Sequence, residues 1–285
     1  GNVVNFNAVD IGAAYLPQNQ NPTIASPSTV PGANAYVQNL LRGYKGLAAI
    51  NQNTTEFWDL YHSIQTTFQR RFQNGFSFGA NYTLGLVLDG NTGLTTRFQH
   101  AADGTVSVRS DQGQYEELFK QLNLQRHLMK LNAVWDMPDM NLSGAGAGKK
   151  VIGYIVNDWQ LSGIFTGNSG NRYDLGYSFT TDGANVNMTG SQDFGARIVY
   201  VGDPGSGCSD DQYRQFNVTA VTAPTYGSVG LESGRNIMIG CFNRILDLSL
   251  SRSIRLGASR QLQFRIDAFN ALNTVIDNNR NSTIN

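Results

Sequence analysis

Three histidines, His62, His100 and His127, and two cysteines, Cys208 and Cys241, are the side chains of this 285-residue chain best suited to metal or thiol chemistry. The histidines share no ligand spacing, so each reads as an interface or loop residue rather than a metal ligand. No Gly-x-Ser-x-Gly occurs. Ser143 to Lys150, SGAGAGKK, is a near miss for a phosphate loop: Ser143 replaces the first glycine, and Lys150 stands where a Ser or Thr would hold Mg²⁺. It reads as a flexible turn. Asp182, Asn185, Asn187 and Asp193 make an oxygen-rich stretch that misses the EF-hand spacing, so a solvated loop is the default and opportunistic Ca²⁺ the alternative. The Asn-x-Ser/Thr triplets at Asn53, Asn81, Asn141, Asn187, Asn217 and Asn281 are expected by chance in an Asn-rich chain. With no acid–base or nucleophile constellation, an enzyme is the weakest function class, and neither a cofactor nor a metal is expected.

Asp247, Arg265 and Asp267 are a different case. They share one face of two alternating segments, Leu246–Ser251 and Leu262–Ala268. A hairpin through 256–260 is expected to bring Asp247 close to Arg265 or its neighbour as a polar pair that fixes register. The elements that would carry the pair are therefore strands. Period-two alternation is the dominant signal throughout. Ile64, Thr66, Phe68 and Phe72 oppose Ser63, Gln65, Thr67, Gln69 and Arg71. Asn74-Gly75 follows, a dipeptide that tolerates positive φ in a tight turn. Phe76, Phe78, Ala80, Tyr82, Leu84 and Leu86 then alternate with Ser77, Gly79, Asn81, Thr83 and Gly85. Met129–Trp135 and Trp159–Phe165 alternate likewise, giving six strong strands in all.

Charged residues are only 15% of the chain and balance to zero, which argues against a nucleic-acid partner. No apolar run reaches the roughly 18 to 20 residues of a spanning helix, yet alternating strands of a membrane barrel escape that test. A soluble β-sandwich also alternates. Three features favour the membrane. The strands are longer than the five or six residues usual in soluble sheets. Their apolar faces carry charge only near strand ends, at Arg70 and Arg252, where a side chain can snorkel. Connections alternate short (73–75, 256–260) and long (87–123, 168–244), with 138–157 intermediate, as periplasmic turns and extracellular loops do. On that topology Trp135, Trp159, Phe72 and Phe76 fall at the periplasmic boundary and Trp58 and Tyr61 at the opposite one, as aromatic girdles. The expected fold is all-β, an antiparallel transmembrane barrel segment with outer-membrane lipid as its partner.

At this point the segments resemble a known family. YHSIQTTFQRRFQNGFSFGANYTLGL (61–86), LQRHLMKLNAVWDMP (124–138), NDWQLSGIFTGNSG (157–170), GLESGRNIMIG (230–240), LDLSLSRSIRLG (246–257) and LQFRIDAFNALN (262–273) resemble, in order, barrel segments of Oar-like TonB-dependent receptors. The resemblance implies a barrel of about 22 strands closed by an N-terminal plug, with energised uptake of a bulky nutrient driven by the TonB complex. The substrate-binding residues stay unknown. The expected Asp247–Arg265 pair would then be lumenal, with contact to the plug as the secondary reading. The chain shows no plug, no TonB box and no final strand ending in an aromatic residue, and both ends read as interior cuts, so a piece of a longer chain is expected. Six strands cannot close a large barrel, and an open edge cannot stay unpaired in lipid.

On this reading the chain divides into an extracellular region (1–56), a hairpin (57–88), an extracellular loop with a short helix (89–123), a hairpin (124–167), a long extracellular loop (168–244), a hairpin (245–272) and a loop (273–285). Within the first long loop Tyr115, Leu118, Phe119 and Leu122 fit one helical stripe, with Asp111 as cap and Glu116 and Glu117 near the N-terminus. That helix is expected to pack on neighbouring loops; a substrate lid is the other reading. Cys208 and Cys241 are either two buried thiols or a disulfide, and their even count and extracellular placement favour the bond. Three functions compete: energised import, a structural, export-linked or surface-contact barrel protein without import, and a soluble all-β binding module.

Overall fold

A computed structural model describes every residue except 1, 26–27, 141–151, 154, 178–187, 210, 212, 257–259, 277–281 and 285. Its frame is a six-stranded sheet built from β1 (Asp59–Gln73), β2 (Phe76–Gly90), β3 (His127–Asp136), β4 (Trp159–Asn168), β5 (Asn243–Arg255) and β6 (Gln261–Ala268). Neighbours in sequence are neighbours in space, and all five pairings are antiparallel. The six alternating segments of the sequence are these six strands. The sheet is not closed: β1 and β6 are its two edges.

The β1–β2 turn follows from its dipeptide. Asn74 and Gly75 have φ of 53° and 74°, and they join Gln73 to its partner Phe76. Paired positive φ values match the strand twist that a two-residue hairpin needs. Each later pairing keeps the alternation in phase. One face carries rungs such as Phe78–Ala133–Gly163–Leu248 and Phe76–Trp135–Leu161–Leu250, while the other carries Ser77, Asn81, Asn132, Ser162 and Ser249. A one-residue slip anywhere would exchange the two faces.

Two bulges interrupt this order. In β2 an extra residue, Leu86, lies between Gly85 and Val87, which pair with Ser63 and His62. In β1 the span from Arg70 to Gln73 is one residue longer than its partner span from Phe78 to Phe76. Beyond the first bulge, Leu88 joins the face of Ser63, pairs with Tyr61 and is 2% exposed.

The connections sort by length. Residues 74–75, 137–158 and 256–260 leave one end of the sheet; 91–126, 169–242, the segment before β1 and the segment after β6 lie at the other. Among the described residues, every buried apolar one except Leu88 belongs to this second set. Val9, Ala13, Ala14, Ala35 and Leu41 form one small core, and Leu175, Ile198 and Met238 form another under Tyr173, Tyr200 and Phe216. Short ladders join distant segments there, including Asn2–Asn5 with Asn51–Thr54 and Arg172–Tyr173 with Met238–Ile239. The long connections are therefore a packed cap.

Candidate functional site

Two surfaces can carry function: the apolar sheet face and the cap. On the apolar face Ile64, Phe68, Phe264 and Ile266 are each more than half exposed, 64% at Ile266. No second sheet or helix of the described chain lies on them. In a water-soluble sandwich such a face is covered by another layer. No helix among the described residues is long and apolar enough to cross a membrane. The opposite face is polar, and its side chains bond along the sheet: Thr67 Oγ1 donates to Asn81 at 3.0 Å, and Gln160 Nε2 to Asp136 at 2.7 Å.

The sequence model of one family, described as an outer membrane beta barrel domain, matches residues 5–285. The chain belongs to that family. No curated protein and no solved structure matches it. The barrel's place is the bacterial outer membrane, and its uncovered apolar face meets lipid. A soluble binding module is excluded.

The barrel's strand ends place the tryptophans at opposite heights. Trp135 pairs with Phe76 and Leu161, and Trp159 pairs with Arg252, all at the turn end. Trp58 precedes β1 at the cap end, where its backbone N–H donates to Asn91. Phe72 lies within the β1 bulge near the turn end. Tyr61, three positions beyond Trp58, is in phase with Ser63, so it is on the polar face opposite Leu88 rather than on the lipid face.

Asp247 and Arg265 do not pair. The turn joins Arg255 to Gln261, which sets Ser251 opposite Arg265. Arg265 Nε instead donates to Asp267 at 2.8 Å, and Asp247 accepts the Asn270 backbone N–H at 2.8 Å. Turn length fixes the register, and it leaves Asp247 beyond reach of its expected partner.

The cap is organised by buried arginines. Arg42, 5% exposed, reaches Asp193 at 2.9 Å and also donates to Asn7 O. Asp193 accepts the Val9 N–H at 2.7 Å, and Ser191 Oγ donates to Val9 O. Arg97, 3% exposed, donates to Val229 O, pairs with Asp111 at 2.7 Å and lies 4.8 Å over the Tyr115 ring. Burial pushes the Arg97 guanidinium downward, and Asp111 opposes that shift. Burial pushes Asp111 up, but Arg109's hydrogen bond and the charges of Arg97 and Arg109 outweigh it and leave the carboxyl below its ordinary value.

The helix is Gln112–Phe119, and Asp111 stands at its N-cap without capping it, being engaged by the two arginines. Arg197 lies 5.1 Å over Phe119, and the Arg235 N–H donates to Leu118 O. The helix is thus packed on the neighbouring loop. Cys208 and Cys241 form a disulfide that ties the middle of that loop to its C-terminal end, and the neighbouring Gly207 O accepts from the hydroxyl of Tyr173, which packs on the Leu175 core.

Two of the three histidines have partners within hydrogen-bond distance. His100 Nδ1 is 2.8 Å from Asp10 and its Nε2 is 3.0 Å from Phe6 O; His127 Nδ1 is 2.8 Å from the Tyr82 hydroxyl. Among the described residues no three His, Cys, Asp or Glu side chains gather as a metal site. SGAGAGKK, Asp182, Asn185 and Asn187 lie outside the described residues. The arginine network was missed because Arg42 and Asp193 are remote in sequence and the nearby Arg97, Arg109 and Asp111 carry no periodic signal; only clustered Arg and Asp in polar loops hint at it.

Proposed function

We propose that the chain is barrel wall and outer cap of a TonB-dependent, Oar-like importer that takes up a bulky nutrient, with the cap extracellular and the turns periplasmic. The observation that carries this reading is the sorting of connections. A packed, disulfide-braced cap lies at one end and the shorter connections, two tight turns and the intermediate 137–158, at the other, the asymmetry of outer-membrane barrels. The ordered resemblance of the strand segments to Oar-like receptors supports the importer over other barrels. A plug, the TonB complex and additional strands, to about 22, belong to the proposal.

The test is uptake. Cells deleted for the gene, and cells lacking TonB, should lose growth on the same limiting nutrient, and the full reading frame should encode an upstream plug. A frame without a plug, or uptake independent of TonB, removes the importer.

A second reading, a surface-contact or export-linked barrel protein, draws on the cap itself. It has cores of its own and presents exposed Val37, Leu47 and Phe57. Normal uptake with an altered surface or secretome in the deletion strain would favour it.

A further inference from the structure

Two arginine–aromatic pairs stand at the turn end of the lipid face, and they differ. Arg252 lies 5.8 Å over Trp159, and both donate to the Ile155 carbonyl, Arg252 Nη1 at 3.2 Å and Trp159 Nε1 at 2.8 Å. That pair is tied down by the protein. Arg70 lies 5.5 Å over the Phe76 ring, within cation–π range, and Phe76 pairs with Trp135. Neither the Arg70 guanidinium nor the Trp135 indole N–H has a hydrogen-bond partner among the described residues.

Beside the open pair the sheet surface is hollow. Ala133 and Gly163 are directly paired, and both face lipid. The rung on one side is Leu131–Phe165, and the rung on the other is Trp135–Leu161. Phe78 and Leu248 close the remaining sides. A Cβ at Gly163 would lie 3.0 Å from Leu248 Cδ2, so the missing side chain is what opens the floor. The trough has a volume of about 490 Å³, within the ~300–1,000 Å³ of ligand sites. Arg70 is on the Ala133 rung, two strands away, or about 10 Å at the usual strand spacing.

We propose that this hollow is a specific site for one glycerophospholipid of the periplasmic leaflet. An acyl chain fills the Ala133–Gly163 trough. Arg70 binds the phosphate by charge-assisted hydrogen bonds, and the Trp135 N–H is placed to donate to an ester carbonyl. The partner is fixed by charge and by height: at the turn end Arg252 is held by Ile155 while Arg70 has no hydrogen-bond partner among the described residues, and an apolar trough lies within chain reach of it. The proposal rests on the orientation given above, which sets the turn end in the periplasmic leaflet.

The test is native mass spectrometry of the full-length protein with added 1-palmitoyl-2-oleoyl-phosphatidylglycerol, the matching diacylglycerol, and a lipid A. One phosphatidylglycerol should survive detergent exchange. Gly163→Leu should lower its occupancy about tenfold. Arg70→Gln alters an exposed side chain that the fold does not need; it should remove the preference for phosphatidylglycerol over diacylglycerol and leave diacylglycerol binding unchanged. Equal retention by the parent protein and both variants overturns the site, as does lipid A displacing the phospholipid. If Gly163→Leu does not fold, Arg70→Gln decides alone. A protein that stays in solution without detergent, or a cap that a membrane-impermeant biotin reagent reaches only in opened cells, refutes the orientation instead.

Discussion

At the residue scale the cap depends on a few buried charges. Asp193 serves Arg42 and the Val9 N–H together. Asp193→Ala would leave a nearly buried guanidinium without its counter-ion, a loss of about 3 kcal/mol. Hydrogen exchange at Val9 should rise in this variant while the β2–β3 amides keep their protection. Asp111 gives a pH dependence. Its folded value lies below the ordinary 3.8, so its contribution is fully present above that value and declines as pH falls through the depressed one. Protease cleavage around 97–119 should therefore increase only in strong acid, and Asp111→Asn should remove that acid step. These partners were not legible in the sequence. Arg42 and Asp193 are separated by 151 positions, and alternation says nothing about which loop meets which. Asp111 was legible as a helix boundary but not as an arginine clamp.

At the element scale the hairpins are decided by turns and phase. Gly75 holds φ 74°, and a Cβ there would lie 3.1 Å from Asp136 O. Gly75→Val should cost about 1–3 kcal/mol, seen as slower refolding into lipid vesicles. The six strands could be read from residues alone because every second side chain reports the medium it faces. The bulges could not: Leu86 continues the apolar alternation, and only the pairing of His62 with Val87 reveals the extra residue. The same limit explains Asp247 and Arg265, whose separation is set by the turn that joins Arg255 to Gln261. The short helix was legible from its stripe, since Tyr115 and Phe119 do meet, with ring centroids 4.5 Å apart. Breaking the disulfide by Cys208→Ser should cost the cap about 2–4 kcal/mol and raise exchange around Leu175 and Met238. The sheet should not respond.

At the scale of the whole molecule, the usual arrangement of a globular protein is inverted. The longest apolar strands are bare, and the buried cores lie among polar loops. Two substitutions one residue apart should separate the faces. Leu248→Arg, on the lipid face, should cost about 2–4 kcal/mol in vesicle-based unfolding, while Ser249→Arg, on the polar face, should cost little. The cross-link at Cys208–Cys241 also bears on biogenesis. Secreted chains meet thiol-oxidising enzymes in the periplasm, on the near side of the bilayer that the cap, in the proposed orientation, has to cross. With the proposed orientation, a loop already knotted shut there must be threaded outward as a ring, so insertion and oxidation compete in time. Cells lacking periplasmic oxidase should thus deliver the strands on schedule and display a slack exterior.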